Sequence, residues 1–418
     1  MMPPRTTLRR SFVFSLGPIG NLAVGAGIPL VAFWLLPTGD YAFAALLLVM
    51  AATGTMVDFG GTALVSSLLP MNTYAPRRVL YTGSTLTLLG STVVGIVAVL
   101  AWWGGVGASF AGTGWEGARG SLALVGMSAG AALRSAALVI SSAAITWEDA
   151  RLRNWSSGGV SLLYGLCACA LLLVSPSVWS LVAAFVGSSL LGLCWSAQAA
   201  RRRTVPSSAP DAANPESLTW QDVRPFALGK SLTSILTVTL VQADRWILAA
   251  VLGPAAVATY DLALRFAQLP KTLLLALSQT VTADVARALR TPGSDTASNI
   301  RKTFVQLAAL SIVPTLFLGL IALQVSQTFT TDTLAVYLFY FAAQSLHALT
   351  AFTTMTWTAH GQPQREVGYL VLAVILTGLL WLIGALTSSP IALIYASGLG
   401  LVIGSTYLLM VQSRRPLS

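Results

Sequence analysis

Long apolar stretches separated by short polar segments dominate the chain. A membrane-spanning helix needs about 20 mostly apolar residues, and the 418-residue sequence contains twelve segments that satisfy this requirement. The twelve segments lie at 11–36, 41–69, 80–104, 119–146, 157–176, 178–199, 226–252, 256–285, 303–325, 331–358, 366–386 and 389–411. The pattern predicts an all-α polytopic membrane protein with about twelve transmembrane helices.

The composition excludes most soluble classes of protein. Hydrophobic residues make up 55% of the chain and charged residues only 9%, whereas an ordinary globular domain carries about 25% charged residues. A soluble protein of this length would have too few charges to cover its surface. We therefore set aside a soluble enzyme, a disordered chain, a secreted disulfide scaffold and a DNA-binding module.

Positive charge is distributed unevenly among the segments between the predicted spans. If the N-terminus is cytoplasmic, 18 of the 24 basic residues lie in cytoplasmic segments, one (Arg119) lies in an outer loop, and five lie within spans (18 + 1 + 5 = 24). Cytoplasmic loops of membrane proteins collect Lys and Arg, so the pattern predicts that both termini are cytoplasmic. This topology accounts for most of the +10 net charge, and no nucleic acid partner is expected.

A polar segment at residues 201–225 divides the chain in the middle. It is rich in Pro, Ser, Ala and charged residues, as linkers are. It predicts an N-terminal six-helix bundle over residues 1–200 and a C-terminal six-helix bundle over residues 226–418. Two related bundles are common in transporters, whose sites lie at the interface of the repeats near the bilayer midplane.

Eight charged residues fall inside the predicted spans. A charged group at the centre of a helix in the bilayer costs at least about 2.5–3.5 kcal/mol on insertion scales, so these residues are expected to face a bundle interior or a wet cavity. On the eighth span, Arg265 and Gln268 lie within about 40° of Asp261 at about 100° per residue. The eight are five bases and three acids: Arg134, Lys230, Arg245, Arg265 and Lys271, with Asp58, Asp244 and Asp261.

These charges have two interpretations. They could form structural pairs, such as Asp244 with Arg265, or they could line a site for an anionic substrate. Five bases against three acids leave an excess of two positive charges, which a phosphate or diphosphate would match well. The hypothesis is a substrate-binding cavity formed by Arg134, Lys230, Asp244, Arg245, Asp261, Arg265, Gln268 and Lys271.

Two further polar residues are candidates for ion or proton coupling. His347 is the only histidine within a predicted span; it could relay protons, or it could be a hydrogen-bonded packing residue. Asp58 could be a cation or proton site, or it could cap a kink beside Gly60 and Gly61. The three cysteines are scattered in apolar stretches, and no metal, cofactor or catalytic residue is predicted.

Two segments carry a resemblance to a known family. Residues 244–287, DRWILAAVLGPAAVATYDLALRFAQLPKTLLLALSQTVTADVAR, contain an Asp with an adjacent base, then Leu-Gly-Pro, Tyr, an Arg and Leu-Pro. Residues 33–68, FWLLPTGDYAFAALLLVMAATGTMVDFGGTALVSSL, contain Asp40-Tyr41 and Val57-Asp58-Phe59-Gly60. Both segments resemble polysaccharide flippases, including those for O-antigen units, of the multidrug/oligosaccharidyl-lipid/polysaccharide exporter (MOP) superfamily.

The resemblance implies two six-helix bundles arranged as a V around a central cavity, in the bacterial cytoplasmic membrane. It implies a transporter that moves polyprenyl-diphosphate-linked oligosaccharides from the cytoplasmic to the outer leaflet. Arg245, Arg265, Lys271 and Lys230 would then face the diphosphate or the sugar. The implied partners are the lipid-linked glycan, membrane lipid and other membrane proteins of glycan assembly.

Three alternatives remain at this point. A multidrug-type antiporter for small molecules or cations would have the same fold. A membrane glycan polymerase, ligase or glycosyltransferase would need catalytic residues outside the bilayer, but the largest predicted outer loop, at 105–118, has Glu116 as its only ionisable residue. A scaffold without transport would use its charges only to pair helices. We therefore expect a transporter rather than an enzyme.

Overall fold

A computed structural model of the protein describes residues 4–69, 74–204, 218–275, 296–359, 362–387 and 389–413. Within these ranges the chain is helical almost throughout and forms no β-sheet. The helices of the first half are α1 (Pro4–Leu35), α2 (Thr38–Met56), α3 (Gly61–Leu68), α4 (Pro76–Trp103), α5 (Ala118–Thr146), α6 (Ala150–Asn154), α7 (Val160–Val174) and α8 (Val178–Thr204). A 3₁₀ turn, Val106–Phe110, follows α4, and a π-helical turn, Trp155–Gly159, joins α6 to α7.

The second half continues the same pattern. Its helices are α9 (Trp220–Leu252), α10 (Pro254–Ala267), α11 (residues 269–275), α12 (Thr296–Val325), α13 (Thr331–Leu349), α14 (Ala351–Ala359), α15 (Val367–Leu386) and α16 (Pro390–Ser413). A 3₁₀ turn, Pro363–Glu366, precedes α15. Gly253, with φ of +83°, makes the turn between α9 and α10, and Pro254 starts α10 at a position where its missing N–H costs nothing.

The predicted spans agree with the helices. Eleven segments of the described residues are long and apolar enough to cross a membrane. The remaining predicted span, 256–285, corresponds to α10 and α11, and its residues beyond 275 lie outside the described ranges. Most of the predicted linker, residues 205–217, also lies outside them.

Helices of the first half pack mainly on one another, and so do those of the second half. In the first half α5 is central and contacts α2, α3, α4 and α8. In the second half α9 contacts α15 and α16, while α13 contacts α10 and α16. Helices in a membrane have no hydrophobic driving force for association, and small residues let them pack closely instead. Gly83 of α4 is an example, because a methyl group there would lie only 2.7 Å from Val65 Cγ2 of α3.

The second span is broken between α2 and α3, at residues 57–60. Asp58 accepts hydrogen bonds from the N–H groups of Gly60 and Thr62, both at 3.0 Å, and from the Thr62 hydroxyl. Its carboxylate therefore satisfies backbone donors that the start of α3 would leave unpaired. The capping interpretation of Asp58 accounts for its buried position.

The two halves contact each other through few helices. α2 lies against α9 and α10, α3 against α9, and α1 against α10 and α12. At the break, Gly60 has φ of +77° and packs against the Phe226 carbonyl of α9, so close that a side chain would not fit. The polar residues that cross this interface are the starting point for the site.

Candidate functional site

The most connected charged residue at the interface of the two halves is Asp261 on α10. Its carboxylate accepts a hydrogen bond from the Arg265 Nε at 2.7 Å, one from the Tyr41 hydroxyl at 2.9 Å, and one from the Arg245 Nε at 3.4 Å. Arg265 follows Asp261 by four residues, so both side chains lie on one face of α10. Arg245 comes from α9 and Tyr41 from α2, which makes Asp261 a junction of three helices.

The two arginines are held differently. Arg265 also reaches across to α2, where its Nη2 donates to the Ala45 carbonyl at 3.0 Å. Arg245 is 1% exposed, and its Nη1 donates to the Val241 carbonyl on its own helix at 2.9 Å. The Arg245 Nη2 has no hydrogen-bond partner among the described residues. Two guanidinium groups therefore share one carboxylate, and the Arg245 Nη2 has no acceptor among the described residues.

Gln268 and Asp244 lie on either side of this junction. The Gln268 Nε2 donates to the Val241 carbonyl at 2.9 Å, so it shares its acceptor with Arg245. Asp244 points into the C-terminal half, where it accepts from the Ser397 hydroxyl at 2.7 Å and from the Tyr340 hydroxyl at 3.4 Å. The pairing of Asp244 with Arg265 that the sequence suggested is wrong, because Asp261 lies one helical turn from Arg265 and takes that place.

Arg134 lies in the N-terminal half, inside the bundle. It is 6% exposed, and its Nη2 donates to the Ser157 carbonyl at 2.7 Å, to Asn21 Oδ1 at 3.4 Å, and to the Ser161 hydroxyl. The π-helical turn places Ser157 where its carbonyl can accept from Arg134, and such turns recur at functional sites. All three of these acceptors are neutral.

Tyr164 is a second buried polar residue of the N-terminal bundle. Its ring packs against Phe185 with 5.1 Å between the centroids. Its hydroxyl is buried and has no hydrogen-bond partner among the described residues. The N-terminal half thus contributes a buried cation and a buried hydroxyl.

A second polar group lies around Glu366, where α9 meets the 3₁₀ turn before α15. Lys230 forms an ion pair with Glu366, with 3.1 Å between Nζ and Oε1. Lys271 is 8% exposed and has no hydrogen-bond partner among the described residues, although it interacts electrostatically with Glu366 and His347. The Nδ1 of His347 lies 3.3 Å from the Ser405 hydroxyl, which agrees with the hydrogen-bonded packing interpretation.

The structure thus separates the predicted cavity residues. Arg245, Asp261, Arg265 and Gln268 meet at the interface of the halves, and Arg134 lies inside the N-terminal bundle. Lys271 and Asp244 lie within the C-terminal half, whereas Lys230 lies beside Gly60, where α9 meets the break between α2 and α3. Asp58 caps α3, at the contact with α9. We refer below to Tyr41, Arg245, Asp261 and Arg265 as the Asp261 cluster.

Sequence reasoning missed Tyr41, Tyr164, Asn21 and Glu366. Tyr41 entered the sequence analysis only through the Asp40-Tyr41 motif, with no expected contact to Asp261. Tyr164 did not stand out among the aromatic residues, and Asn21 is a single amide in an apolar span. Glu366 falls at the predicted boundary of a span and was assigned to a loop, yet it is 7% exposed. Glu366 lies four residues after Gln362, in a 3₁₀ turn that packs on α9. Because this contact joins segments far apart in the sequence, the sequence pattern could not predict that Glu366 is buried.

The structure adds one base and one acid to the charges that the sequence placed inside the spans, so their net charge does not change. Arg153, which the sequence placed in a loop, is 3% exposed. Adding Arg153 and Glu366 to the eight charges of the predicted spans gives six bases and four acids among the described residues, again an excess of two positive charges (6 − 4 = 2). The acids of Asp261 and Glu366 are each already paired with a base.

Comparison with known proteins agrees with this architecture. Residues 159–331 match the model of a family described as "Polysaccharide biosynthesis protein". No curated protein matches the chain. A solved structure of a MOP superfamily transporter from Pyrococcus furiosus, whose binding pocket is described as reversed in polarity, is 13% identical with a TM-score of 0.74 and covers 99% of this chain and 96% of that chain.

Two structures from the MATE branch of multidrug transporters are also similar. The bent form of a Vibrio cholerae MATE transporter is 14% identical, with a TM-score of 0.62, and covers 98% of this chain and 97% of that chain. A multidrug resistance MATE transporter in an outward-facing conformation is 15% identical, with a TM-score of 0.63, and covers 98% of this chain and 94% of that chain. The chain has the MOP transporter fold.

The predicted fold class is confirmed, since the MOP transporters to which the chain is similar are V-shaped pairs of helical bundles. The family match over residues 159–331 confirms the resemblance to a polysaccharide flippase-type family within this superfamily. Together these findings support a multi-pass membrane protein with the MOP transporter fold.

Proposed function

We propose that the protein is an alternating-access flippase that moves a polyprenyl-diphosphate-linked oligosaccharide from the cytoplasmic to the outer leaflet of the bacterial cytoplasmic membrane. The observation that carries the proposal is the Asp261 cluster, in which two arginines at the interface of the bundles share one carboxylate. The match of residues 159–331 to a polysaccharide biosynthesis family supports a glycan as the cargo. Both termini are cytoplasmic in this proposal, following the charge pattern of the loops.

The Asp261 cluster explains how the opposite bundle and an anionic substrate would compete for the hydrogen-bond donors of Arg265. In the structure Arg265 spends two donors on the interface, one on Asp261 and one on the Ala45 carbonyl of the opposite bundle. Separation of α2 from α10 removes the second acceptor. A diphosphate oxygen would take its place, because planar guanidinium groups bind phosphates with two parallel hydrogen bonds.

The N-terminal bundle would supply the opposite wall. Arg134 has only neutral acceptors, and the buried Tyr164 hydroxyl of the same bundle has no partner among the described residues. A phosphate between the bundles would therefore meet cations from both sides. The lipid tail would stay in the bilayer, and no bond would be made or broken.

Lys271 would act earlier in the path. It is a buried ammonium group without a hydrogen-bond partner in the described part of the chain, and it lies on the helical segment that follows Arg265, nearer the cytoplasmic side in the proposed topology. In this proposal the head group passes from Lys271 to Arg265 as the opening moves along α11 and α10. Lys230 contributes less to binding because Glu366 already neutralises it. His347 and Asp58 remain candidates for coupling to an ion gradient.

The multidrug-type antiporter is the second candidate, because the MATE structures share the fold. Its favouring observation is the buried carboxylate of Asp244, which has no cationic partner within 4 Å among the described residues and could attract a cation. Against it stands the positive excess in the interior, since organic cations prefer an acidic or aromatic cavity.

The test is deletion of the gene, followed by identification of the lipid-linked glycan that accumulates on the cytoplasmic face. Complementation with Arg265→Ala and Lys271→Ala, at matched expression, should reduce export by roughly tenfold or more, since hydrogen bonds to charged groups contribute about 1.5–3 kcal/mol. Arg78→Ala is the matched control, because Arg78 is an exposed arginine at the start of α4 and forms no hydrogen bond or ion pair with the Asp261 cluster. Full export by both well-expressed interior variants would contradict the proposal, and drug hypersensitivity without glycan accumulation would favour the antiporter.

A further inference from the structure

A groove on the outside of the N-terminal bundle lies apart from the site described above. It has a volume of about 580 Å³ and runs between α1, the π-helical turn and α8. Every residue that lines it belongs to the N-terminal half. Its lining residues Leu16, Trp155 and Leu162 are about half exposed, so the groove lies at the surface of the N-terminal half.

Close packing of two helical segments closes one edge of the groove. At that edge Gly17 of α1 and Gly158 of the π-helical turn are in backbone contact. Asn154 fixes the contact with two hydrogen bonds, accepting from the Gly17 N–H at 2.8 Å and donating to the Val13 carbonyl at 2.8 Å. Gly20, one turn further along α1, has only a Gly158 Cα at 3.8 Å within reach of an added methyl group, so the helices diverge there.

The lining has one charge and two indole rings. Arg151 is exposed and is the only ionisable residue in the described lining. Trp155 and Trp195 form a pair with ring centroids 5.5 Å apart. Indole rings and arginine heads occupy the head-group level of a bilayer, so this end of the groove lies at the interface between lipid and water.

The remaining wall is apolar and faces lipid. Leu16 is 48% exposed and Leu162 is 52% exposed, although both are on membrane helices. No acid lines the groove in the described residues. A hydrocarbon chain would fill the space that glycine leaves, and a negatively charged head group would meet Arg151.

We propose that this groove binds one anionic phospholipid of the adjacent leaflet, with the phosphate at Arg151 and an acyl chain along Gly20 and Leu162. The lipid joins α1 to the π-helical turn and α8 from the outside. The proposal goes beyond the flippase function and does not depend on it, since it concerns a resident lipid and not the transported one.

The test compares lipid binding to the full-length detergent-purified protein by native mass spectrometry. The probes are dioleoyl phosphatidylglycerol and dioleoyl phosphatidylcholine. A lysine or arginine near a membrane surface contributes about 1 kcal/mol to attraction of anionic lipid, so we expect Arg151→Ala to reduce the phosphatidylglycerol-bound fraction about fivefold. Arg78→Ala is the control, because Arg78 is exposed at the start of α4 and does not line the groove.

A second pair of variants tests the acyl-chain part without touching charge. Gly20→Leu should fill the groove and displace both lipids, whereas Gly25→Leu, on the same helix with open space around it, should bind as wild type. The thermal melting of each lipid-free variant shows that it is folded. Equal phosphatidylglycerol binding by Arg151→Ala and Arg78→Ala, or wild-type binding by folded Gly20→Leu, would overturn the proposal.

Discussion

At the scale of single residues, Asp261 has more cationic partners than its one charge can balance. Its carboxylate accepts from Arg245, Arg265 and the Tyr41 hydroxyl, and Tyr41 is the only one of the three that comes from the N-terminal bundle. The Tyr41 bond therefore reports on contact between the bundles, while the arginines hold Asp261 within its own half. A substitution at Tyr41 can separate these two roles.

Tyr41→Phe should shift the bundles toward the state in which α2 and α10 are apart. The variant removes one buried hydrogen bond, which contributes about 0.5–1.5 kcal/mol, and keeps the ring that packs against Phe33 at 5.0 Å. Spin-label distances between the bundles should show the wider population increased several-fold. Tyr337→Phe is the control, because its hydroxyl bonds the Leu316 carbonyl within the C-terminal bundle; an equal shift in both variants would contradict the assignment.

The buried pair of Lys230 and Glu366 should behave as a unit. Removal of one partner leaves an unpaired buried charge and costs about 3–5 kcal/mol, whereas removal of both costs far less. Lys230→Met and Glu366→Gln should each lower the melting temperature of the purified protein, and the double variant should recover most of the loss. Additive losses in the double variant would mean that the 3.1 Å contact contributes little.

At the scale of elements, the break between α2 and α3 shows what a sequence pattern can and cannot decide. The apolar run at 41–69 predicted one span, and the sequence Val57-Asp58-Phe59-Gly60-Gly61 indicated either a kink or an ion site. The hydrogen bonds of Asp58 to the start of α3 are local, and local capping could be read from the sequence as an option. That Gly60 lies against the Phe226 carbonyl of α9 could not be read, because it depends on how two distant helices cross.

The same distinction applies to the charged residues. The helical spacing of Asp261 and Arg265 predicted their proximity, since residues four apart share a face. The spacing could not show that Arg245 would choose Asp261 over the neighbouring Asp244, or that Glu366 would fold inward to Lys230. Those pairings depend on the rotation of α9 relative to α10 and on the 3₁₀ turn before α15.

Asp58→Asn separates capping from ion coupling. Asparagine keeps one of the two accepting oxygens, so a capping role predicts a melting temperature between those of wild type and Asp58→Ala, and at least half of wild-type export. Asp58→Ala loses the cap and should cost about 0.5–2 kcal/mol of stability, visible as a lower melting temperature. Loss of export in a stable, well-expressed Asp58→Asn variant would instead assign the carboxylate to coupling.

At the scale of the whole molecule, the bundles touch at two levels. Near the start of α2 they are joined by the Asp261 cluster, and beyond the break α3 packs on α9, where Leu64 and Ala227 belong to one buried cluster. Alternating access requires that these two contacts open at different times. The positive charge of the loops places the first toward the outside and the second toward the cytoplasm in the proposed topology.

A cross-link across the second contact should therefore stop transport. We expect a flexible bifunctional thiol reagent to join Leu64→Cys to Ala227→Cys, once the three native cysteines are replaced by serine, and to abolish glycan export until a reductant is added. The control pair is Leu370→Cys with Leu401→Cys, which belong to one buried cluster inside the C-terminal bundle. The control cross-link should leave export intact, because each bundle moves as a rigid body. If the control cross-link blocks export as strongly as the first, or if the first does not block it, the bundles do not rock about this interface.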